Sequence, residues 1–194
     1  QGPGRSILIV GATSWALEFA QALQKREVPV TIADSSFLSL RKARQKGLDT
    51  FHGEALDAIH AEEIDIHGFQ AVIAATDNDA YNALICAELG PEVGRNSVFQ
   101  IGASDDAAVA DLPTNLKGRM LMKSAAGLME LLSRQEKGWE FRQTRIGEKY
   151  TLKDLRDRLS SKSELLAIVR PGKEVAFFTN AGRPVVNEGD FVIA

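Results

Sequence analysis

The fold is decided by Ile7-Leu8-Ile9-Val10-Gly11-Ala12-Thr13-Ser14-Trp15-Ala16. Four consecutive apolar residues that end at a glycine are typical of a buried parallel strand. Apolar residues then recur at helical spacing up to Leu23, with polar residues between them. Ser14 stands where this helix starts, and we predict that it caps the helix. The stretch therefore predicts a strand, a tight turn and an amphipathic helix.

Outward from this stretch, strand and helix patterns alternate. The further predicted strands cover residues 28–33, 50–52, 69–75 and 97–101, and the helices cover 37–46, 58–64 and 79–89. Gly90-Pro91 is predicted to end the last of these helices. Such alternation predicts an α/β fold, a Rossmann-like doubly wound parallel sheet with helices on both faces. Its ligand site is expected at the carboxyl ends of the first, second and fourth strands.

The alternation stops after residue 101. A turn-rich segment precedes a short strand and an amphipathic helix, and Gly138 marks a boundary. Beyond it the pattern predicts strands at 139–146, 165–169, 174–179 and 191–194, and a helix at 151–159. We therefore predict two domains, a Rossmann-like nucleotide-binding domain over 5–137 and a small α+β domain over 138–194. A unit that small is marginal alone and is expected to pack on a neighbour or a symmetry mate.

Composition and charge restrict the class of protein. Of the residues, 44% are hydrophobic and 25% are charged, which is ordinary for a globular protein. The net charge of −3 gives no basic field for nucleic acid. No apolar run approaches the roughly 20 residues that span a bilayer. Cys86 is the single cysteine, so an internal disulfide is excluded.

Both ends of the sequence carry information. Residues 1–4, Gln-Gly-Pro-Gly, resemble the remnant of a cleavable tag, and native sequence is expected to begin at about Arg5. The chain ends within a predicted strand, Phe191-Val192-Ile193-Ala194. Such abrupt ends are expected of a piece cut from a longer protein. A natural protein trimmed for crystallisation is the alternative.

The turn after the first strand departs from the dinucleotide-binding fingerprint, which has glycine at its first, third and sixth positions. Here those positions hold Gly11, Thr13 and Ala16. Thr13 stands where a pyrophosphate usually meets bare backbone, but the helix N-terminus still offers N–H groups and a positive dipole end. We predict that Gly11 and Ala12 form the turn and that Thr13 and Ser14 donate hydroxyl hydrogen bonds to a phosphate. The alternative is a Rossmann turn that has lost its ligand.

Asp34 ends the second strand, 23 residues after Gly11. A carboxylate there accepts hydrogen bonds from the ribose hydroxyls of adenosine and disfavours the 2′-phosphate of NADP. We predict this role for Asp34, with Ser35 beside it. In the alternative, Asp34-Ser35-Ser36 caps the following helix, and the two roles are compatible.

Two further segments meet the same edge of the predicted sheet. Thr76-Asp77-Asn78 follow the fourth strand and are predicted to line a ribose or phosphate, or simply to cap the helix that begins at Asp79. Glu54 and Ala55, after Gly53, follow the third strand and are predicted to flank an adenine. The expected ligand is an adenine nucleotide, either NAD(H), AMP or ATP, with NADP disfavoured.

No catalytic or metal centre is recognisable in the sequence. His52, His60 and His67 lack the spacing of metal ligands, and no cysteine or aspartate cluster accompanies them. There is no Gly-x-Ser-x-Gly elbow, no P-loop and no evident general acid, base or nucleophile. We therefore expect a protein that binds a ligand and is not an enzyme.

The same segments resemble the N-terminal half of regulator-of-K⁺-conductance (RCK) domains, also called TrkA-N domains. The resemblance is carried by residues 7–16, 30–34, 53–55 and 75–82. The tail is similar to the family's C-terminal half, TrkA-C, chiefly in Asn187-Glu188-Gly189-Asp190 before the last strand. More narrowly, Gly11-Ala12-x-x-Trp15-Ala16 and residues 119–121 are similar to the cytoplasmic tails of bacterial NhaP-type cation/proton antiporters.

This resemblance implies a regulatory module. In that family the nucleotide domain dimerises, senses a cytosolic ligand and gates a membrane partner, which requires different ligand affinities in two states. For this chain it implies the regulatory domain of a Na⁺ or K⁺/proton antiporter at the cytoplasmic face of the bacterial inner membrane. Its partners would be the transmembrane antiporter domain of the same polypeptide and a second copy of itself, and no nucleic acid. Two alternatives stay open, a peripheral subunit of a K⁺ channel or uptake system and an NAD-dependent oxidoreductase.

Overall fold

A computed structural model of the chain describes residues 6–103 and 107–194, so the predicted tag remnant at 1–4 lies outside the described residues. The strands of the first range are β1 (Ser6–Val10), β2 (Val30–Asp34), β3 (Asp49–His52), β4 (Phe69–Ala74) and β5 (Val98–Gln100). Its helices are α1 (Ser14–Gln24), α2 (Phe37–Gln45), α3 (Ala55–His60) and α4 (Asp79–Val93).

The second range contains a mixture of short strands and helices. Its strands are β6 (Arg119–Met120), β7 (Gln143–Arg145), β8 (Ala167–Val169), β9 (Val175–Phe177) and β10 (Phe191–Ile193). Its helices are α5 (Ala107–Ala110), α6 (Leu128–Glu136) and α7 (Leu152–Arg158).

Strands β1 to β6 form one parallel sheet in the order β3-β2-β1-β4-β5-β6. Ile9 of β1 pairs with Ile32 of β2 on one side and with Ile73 of β4 on the other. The strand order reverses between β1 and β4, and open α/β sheets bind ligands at such switch points. The other four strands form an antiparallel sheet, β7-β10-β8-β9, beside α7. The predicted fold class, a Rossmann-like sheet followed by a small α+β part, is confirmed.

Both faces of the parallel sheet are covered, which explains the unbroken apolar run in β1. Ile7 and Ile9 lie in a core that contains Phe19 of α1. Leu8 and Val10 point to the opposite face, into a core that contains Ile85 of α4. All of these side chains are buried.

The antiparallel sheet packs on the same face of the parallel sheet as α1. The ring of Phe177 in β9 lies 4.5 Å from that of Phe99 in β5, measured between centroids. Phe141, just before β7, contacts Trp15 and Phe19 of α1 at 6.0 and 5.6 Å. One apolar core thus contains side chains from both sheets. The small unit finds its packing neighbour within the same chain, and the domain boundary at 137/138 stays a prediction.

Helix α4 runs past its predicted end, because it continues through Gly90-Pro91 to Val93. The prolyl nitrogen forfeits one hydrogen bond near the helix end. Burial of Leu89 and packing of Val93 on the same core offset that loss. The helix ends instead at Gly94, whose φ is +110° and whose N–H donates to the Gly90 carbonyl oxygen at 2.8 Å.

Helix α3 begins three residues earlier than predicted, because Glu54 caps it. Its Oε2 accepts a hydrogen bond from the N–H of Asp57 at 2.8 Å. In the described ranges no helix has both the length and the apolar character that a membrane crossing requires.

Candidate nucleotide-binding site

A cleft of about 230 Å³ opens at the carboxyl edge of the parallel sheet, where β1, β2, β3 and β4 end. Eight of the residues predicted for the site line it, namely Gly11, Asp34, Ser35, Glu54, Ala55, Thr76, Asp77 and Asn78. Gly53 and Tyr81 also line the cleft, whereas Ala12, Thr13 and Ser14, which follow Gly11, are not part of its lining. The structure therefore brings the predicted segments together around one space.

Gly11 sets how closely the first turn passes over the end of β4. Its φ is +110°, and a Cβ atom there would lie 2.6 Å from the carbonyl oxygen of Ala75. Only glycine tolerates both the conformation and the approach. The first glycine of the motif is thus required by the backbone, whatever ligand the site takes.

Thr13, and not Ser14, caps α1. Thr13 has extended backbone angles, and its Oγ1 accepts a hydrogen bond from the N–H of Ala16 at 3.2 Å. The predicted cap at Ser14 is wrong because Ser14 already lies in the first helical turn, where its hydroxyl donates to Gln135 Oε1 at 2.6 Å. The hydroxyl hydrogen of Ser14 is therefore engaged by α6. The N–H groups of Ser14 and Trp15, which have no carbonyl partner within the helix, remain for an anion.

Asp34 ties the first turn to the end of β2. Its Oδ2 accepts from the N–H of Ala12 at 2.8 Å, and its Oδ1 accepts from the N–H of Ser36 at 2.7 Å. Within the triplet Asp34-Ser35-Ser36 the cap of α2 is Ser36, whose Oγ accepts from the N–H of Ser39, and not Asp34 itself. A carboxylate has about four acceptor positions, so roughly two remain for ribose hydroxyls.

The turn after β4 is held by a residue that sequence reasoning missed. Asn82 is fully buried. Its Oδ1 accepts from the N–H and the hydroxyl of Thr76 at 3.0 and 2.6 Å, and its Nδ2 donates to the Thr76 carbonyl oxygen at 3.1 Å. Asn78 caps α4 by accepting from the N–H of Tyr81 at 2.9 Å, as the alternative interpretation predicted. One feature of the sequence could have pointed to Asn82: it is an amide side chain on the apolar side of the predicted helix, one turn after the cap Asn78.

Glu54 and Tyr81 bring a carboxylate and an aromatic ring to the lining of the cleft. While Glu54 Oε2 caps α3, its Oε1 is buried, and no donor among the described residues reaches it. An unpaired buried acceptor costs about 1–3 kcal/mol, which a ligand N–H or O–H would offset. Tyr81 is half-buried in the first turn of α4, and its aromatic ring is the kind of group on which a planar base packs. Together with Asp34, this acceptor set fits an adenosine.

Reactive groups are sparse in the described ranges. No group of three or more His, Cys, Asp or Glu side chains in residues 6–103 and 107–194 is arranged to hold a metal ion. Burial raises the pKa of the Cys86 thiol to about 12, and its Sγ donates to the Phe99 carbonyl oxygen at 3.3 Å. A thiol that stays protonated and buried is a packed side chain and a poor nucleophile.

The family model of the TrkA-N domain matches residues 7–108, more than half of the chain. The chain belongs to the TrkA-N domain family. The match contains every residue predicted for the site and ends before the antiparallel sheet. Among solved structures, this TrkA-N protein is similar to the NAD(P)-binding domain of an exopolyphosphatase-related protein from Archaeoglobus fulgidus. That similarity has 13% identity and a TM-score of 0.46, over 68% of this chain and 93% of that chain. The search of curated proteins gives no match.

Proposed function

We propose that this TrkA-N protein is a nucleotide-sensing regulatory module of a Na⁺ or K⁺/proton antiporter and acts by binding, not by catalysis. The observation that carries the proposal is the cleft at the switch point, where Asp34, with about two acceptor positions left, and Glu54 line one space. The antiporter context rests on the sequence resemblance. The same resemblance supports three further parts of the proposal: a TrkA-C role for the antiparallel sheet, homodimerisation, and a position at the cytoplasmic face of the bacterial inner membrane.

The ligand that suits the cleft is an adenine nucleotide. In the proposed complex Asp34 accepts the ribose hydroxyls, Glu54 Oε1 accepts a hydrogen from the base or ribose, and Tyr81 packs on the base. The phosphate lies toward the N-terminus of α1, within reach of the hydroxyl of Thr13. The volume of about 230 Å³ falls below the roughly 300–1,000 Å³ of most ligand pockets. This favours a mononucleotide, AMP or ATP, over NAD(H), and the charge of Asp34 disfavours NADP.

A chain of contacts leads from the turn to the antiparallel sheet. The hydroxyl of Ser14 donates a hydrogen bond to Gln135 of α6. The neighbouring Arg134 forms an ion pair at 2.9 Å with Glu164, which lies shortly before β8. Glu164 also accepts from the N–H and the hydroxyl of Ser124 at 2.8 and 2.6 Å. A nucleotide that binds one arrangement of this chain of contacts more tightly would shift the population toward it. We propose that this change in the populations of the two arrangements is what the membrane partner responds to.

Calorimetry with AMP, ATP, NAD⁺ and NADH tests the ligand site directly. We expect an adenine nucleotide to bind and Asp34→Ala to weaken it about tenfold or more, since hydrogen bonds to a charged group are worth roughly 1.5–3 kcal/mol. Asp49→Ala is the matched control, because it removes an exposed carboxylate at the other end of β3. An unchanged affinity in Asp34→Ala would exclude the ribose assignment.

Two assays separate the regulatory proposal from its alternatives. Purified chain is expected not to oxidise NADH with any small carbonyl compound, and turnover would contradict the proposal. In vesicles that carry the whole polypeptide, the nucleotide is expected to change the rate of cation-driven proton movement. Asp34→Ala should remove that response and leave basal exchange intact. Cation flux without proton movement would point to a channel or uptake system.

A further inference from the structure

A larger cavity, of about 710 Å³, lies at the opposite edge of the parallel sheet from the nucleotide cleft. One wall is formed by the amino ends of β4 and β5, and the other by β9 and the loop at 179–184. The two cavities share no lining residue. A volume of this size lies within the range of roughly 300–1,000 Å³ found for small-molecule sites.

Two unpaired arginines line this cavity. Among the described residues, no acidic side chain forms an ion pair with Arg119 or Arg183. The third cation of the lining, Lys173, is already paired with Glu27 at 2.8 Å. Glu174 is an acidic member of the lining and is exposed. Arg119 and Arg183 are exposed as well. Because a guanidinium stays charged at every physiological pH, these two positive charges outnumber the single carboxylate of Glu174 at the cavity.

The loop that carries Arg183 is fixed against the strand that carries Arg119. The N–H of buried Thr179 donates to the Gly182 carbonyl oxygen at 2.9 Å, and the N–H of Asn180 donates to the Met120 carbonyl oxygen at 3.1 Å. A Cβ atom at Gly182 would lie 3.9 Å from Nη2 of Arg119, so this guanidinium extends along the loop. The backbone that carries each arginine is therefore held in place by hydrogen bonds, which lowers the entropic cost of binding an anion.

The rest of the lining mixes apolar side chains, among them Phe69, Val93, Phe177 and Pro184, with polar ones such as Asn96 and Ser97. We propose that the cavity binds a small phosphorylated molecule with an apolar or aromatic body. Guanidinium forks match phosphate oxygens, and two of them balance the charge of about −1.5 to −2 on a phosphate monoester. The apolar wall would cover the body of the ligand. This proposal uses no residue of the nucleotide cleft.

Inorganic phosphate and 1-naphthyl phosphate, titrated separately into the 194-residue chain by calorimetry, test the proposal. Both carry the same anionic group, and neither has a ribose for Asp34. We expect 1-naphthyl phosphate to bind at least about tenfold more tightly than phosphate, because burial of the ring adds apolar contact. Arg119→Gln and Arg183→Gln should each weaken it about tenfold or more. Arg145→Gln, an exposed arginine of β7 outside the cavity, should leave it unchanged.

The variants also separate this site from the nucleotide cleft. Asp34→Ala is expected to leave the affinity for 1-naphthyl phosphate unchanged, whatever its effect on AMP. Absence of binding by both probes would overturn the proposal. So would binding that Arg119→Gln and Arg183→Gln do not weaken relative to Arg145→Gln, in chains whose unfolding midpoints match that of the wild type.

Discussion

At the residue scale, the nucleotide cleft depends on side chains that bind the backbone of their neighbours. Asn82 engages the N–H, the hydroxyl and the carbonyl oxygen of Thr76, and Asp34 holds the N–H of Ala12. Asp34 was predictable because the carboxyl end of β2 is a position with a known role. Asn82 was not, because its three hydrogen bonds depend on how α4 turns toward the end of β4, which no local pattern encodes.

Replacement of Asn82 by alanine is expected to loosen this turn. It leaves the N–H and carbonyl of Thr76 without their partner, which costs about 1–3 kcal/mol of the free energy of unfolding. Chemical denaturation measures that cost. The control is Asn115→Ala, since Asn115 is exposed and the bond it accepts from Arg95 is at its backbone carbonyl, which alanine retains. Equal stability of the two variants would contradict the role assigned to Asn82.

Burial of Cys86 predicts a thiol that does not react in the native chain. Its pKa of about 12 means that the native thiol stays protonated at pH 9, where an exposed cysteine of pKa 9.0 would be half ionised. Alkylation by iodoacetamide at pH 8.5 should therefore be slow in the native chain and rapid after unfolding in urea. As the pH rises from 9 toward 12, only the unfolded chain loses this proton, so this group lowers native stability in that range. Native alkylation as fast as in urea would contradict the packing of α4 on β5.

At the scale of elements, the strands were easier to predict than the helix ends. The central strands are buried on both faces, so their apolar runs are visible in the sequence. The bounds of α1, α3 and α4 depend on caps and packing. Thr13 takes the cap of α1 that was predicted for Ser14, Glu54 moves the start of α3 toward the N-terminus, and packing of Val93 carries α4 past Gly90-Pro91. The partner of Ser14 lies 121 residues away, beyond any local signal.

The packing of β9 on β5 gives a prediction about the joint between the sheets. Phe177→Ala removes a buried ring that contacts Phe99 and Phe19, and it should lower the free energy of unfolding by about 3–5 kcal/mol. Phe37→Ala is the matched control, because that ring is 60% exposed, and it should cost much less. Urea unfolding followed by circular dichroism measures both. Similar costs would show that the antiparallel sheet does not share the core.

At the scale of the whole molecule, the two sheets share one apolar core, and the nucleotide cleft and the larger cavity lie at opposite edges of the parallel sheet. The fold class and the presence of a cleft at the carboxyl edge of the sheet followed from the alternation of strands and helices, because topology alone determines the switch point. The contact between the sheets could not be predicted. Phe141 and Phe177 look like ordinary apolar residues of a small unit, and only the tertiary arrangement brings them to Phe19 and Phe99.

The central claim is that an adenine nucleotide binds at the carboxyl edge of the parallel sheet. Backbone amide chemical-shift mapping by NMR, with AMP added to the isotope-labelled chain, tests it most directly. We expect the largest shifts at Ala12 and Ser36, whose N–H groups donate to Asp34, and at Thr76. Val175 and Asn180, at the opposite edge, should hardly change. Shifts confined to Val175 and Asn180, or no shifts at any AMP concentration, would contradict the account.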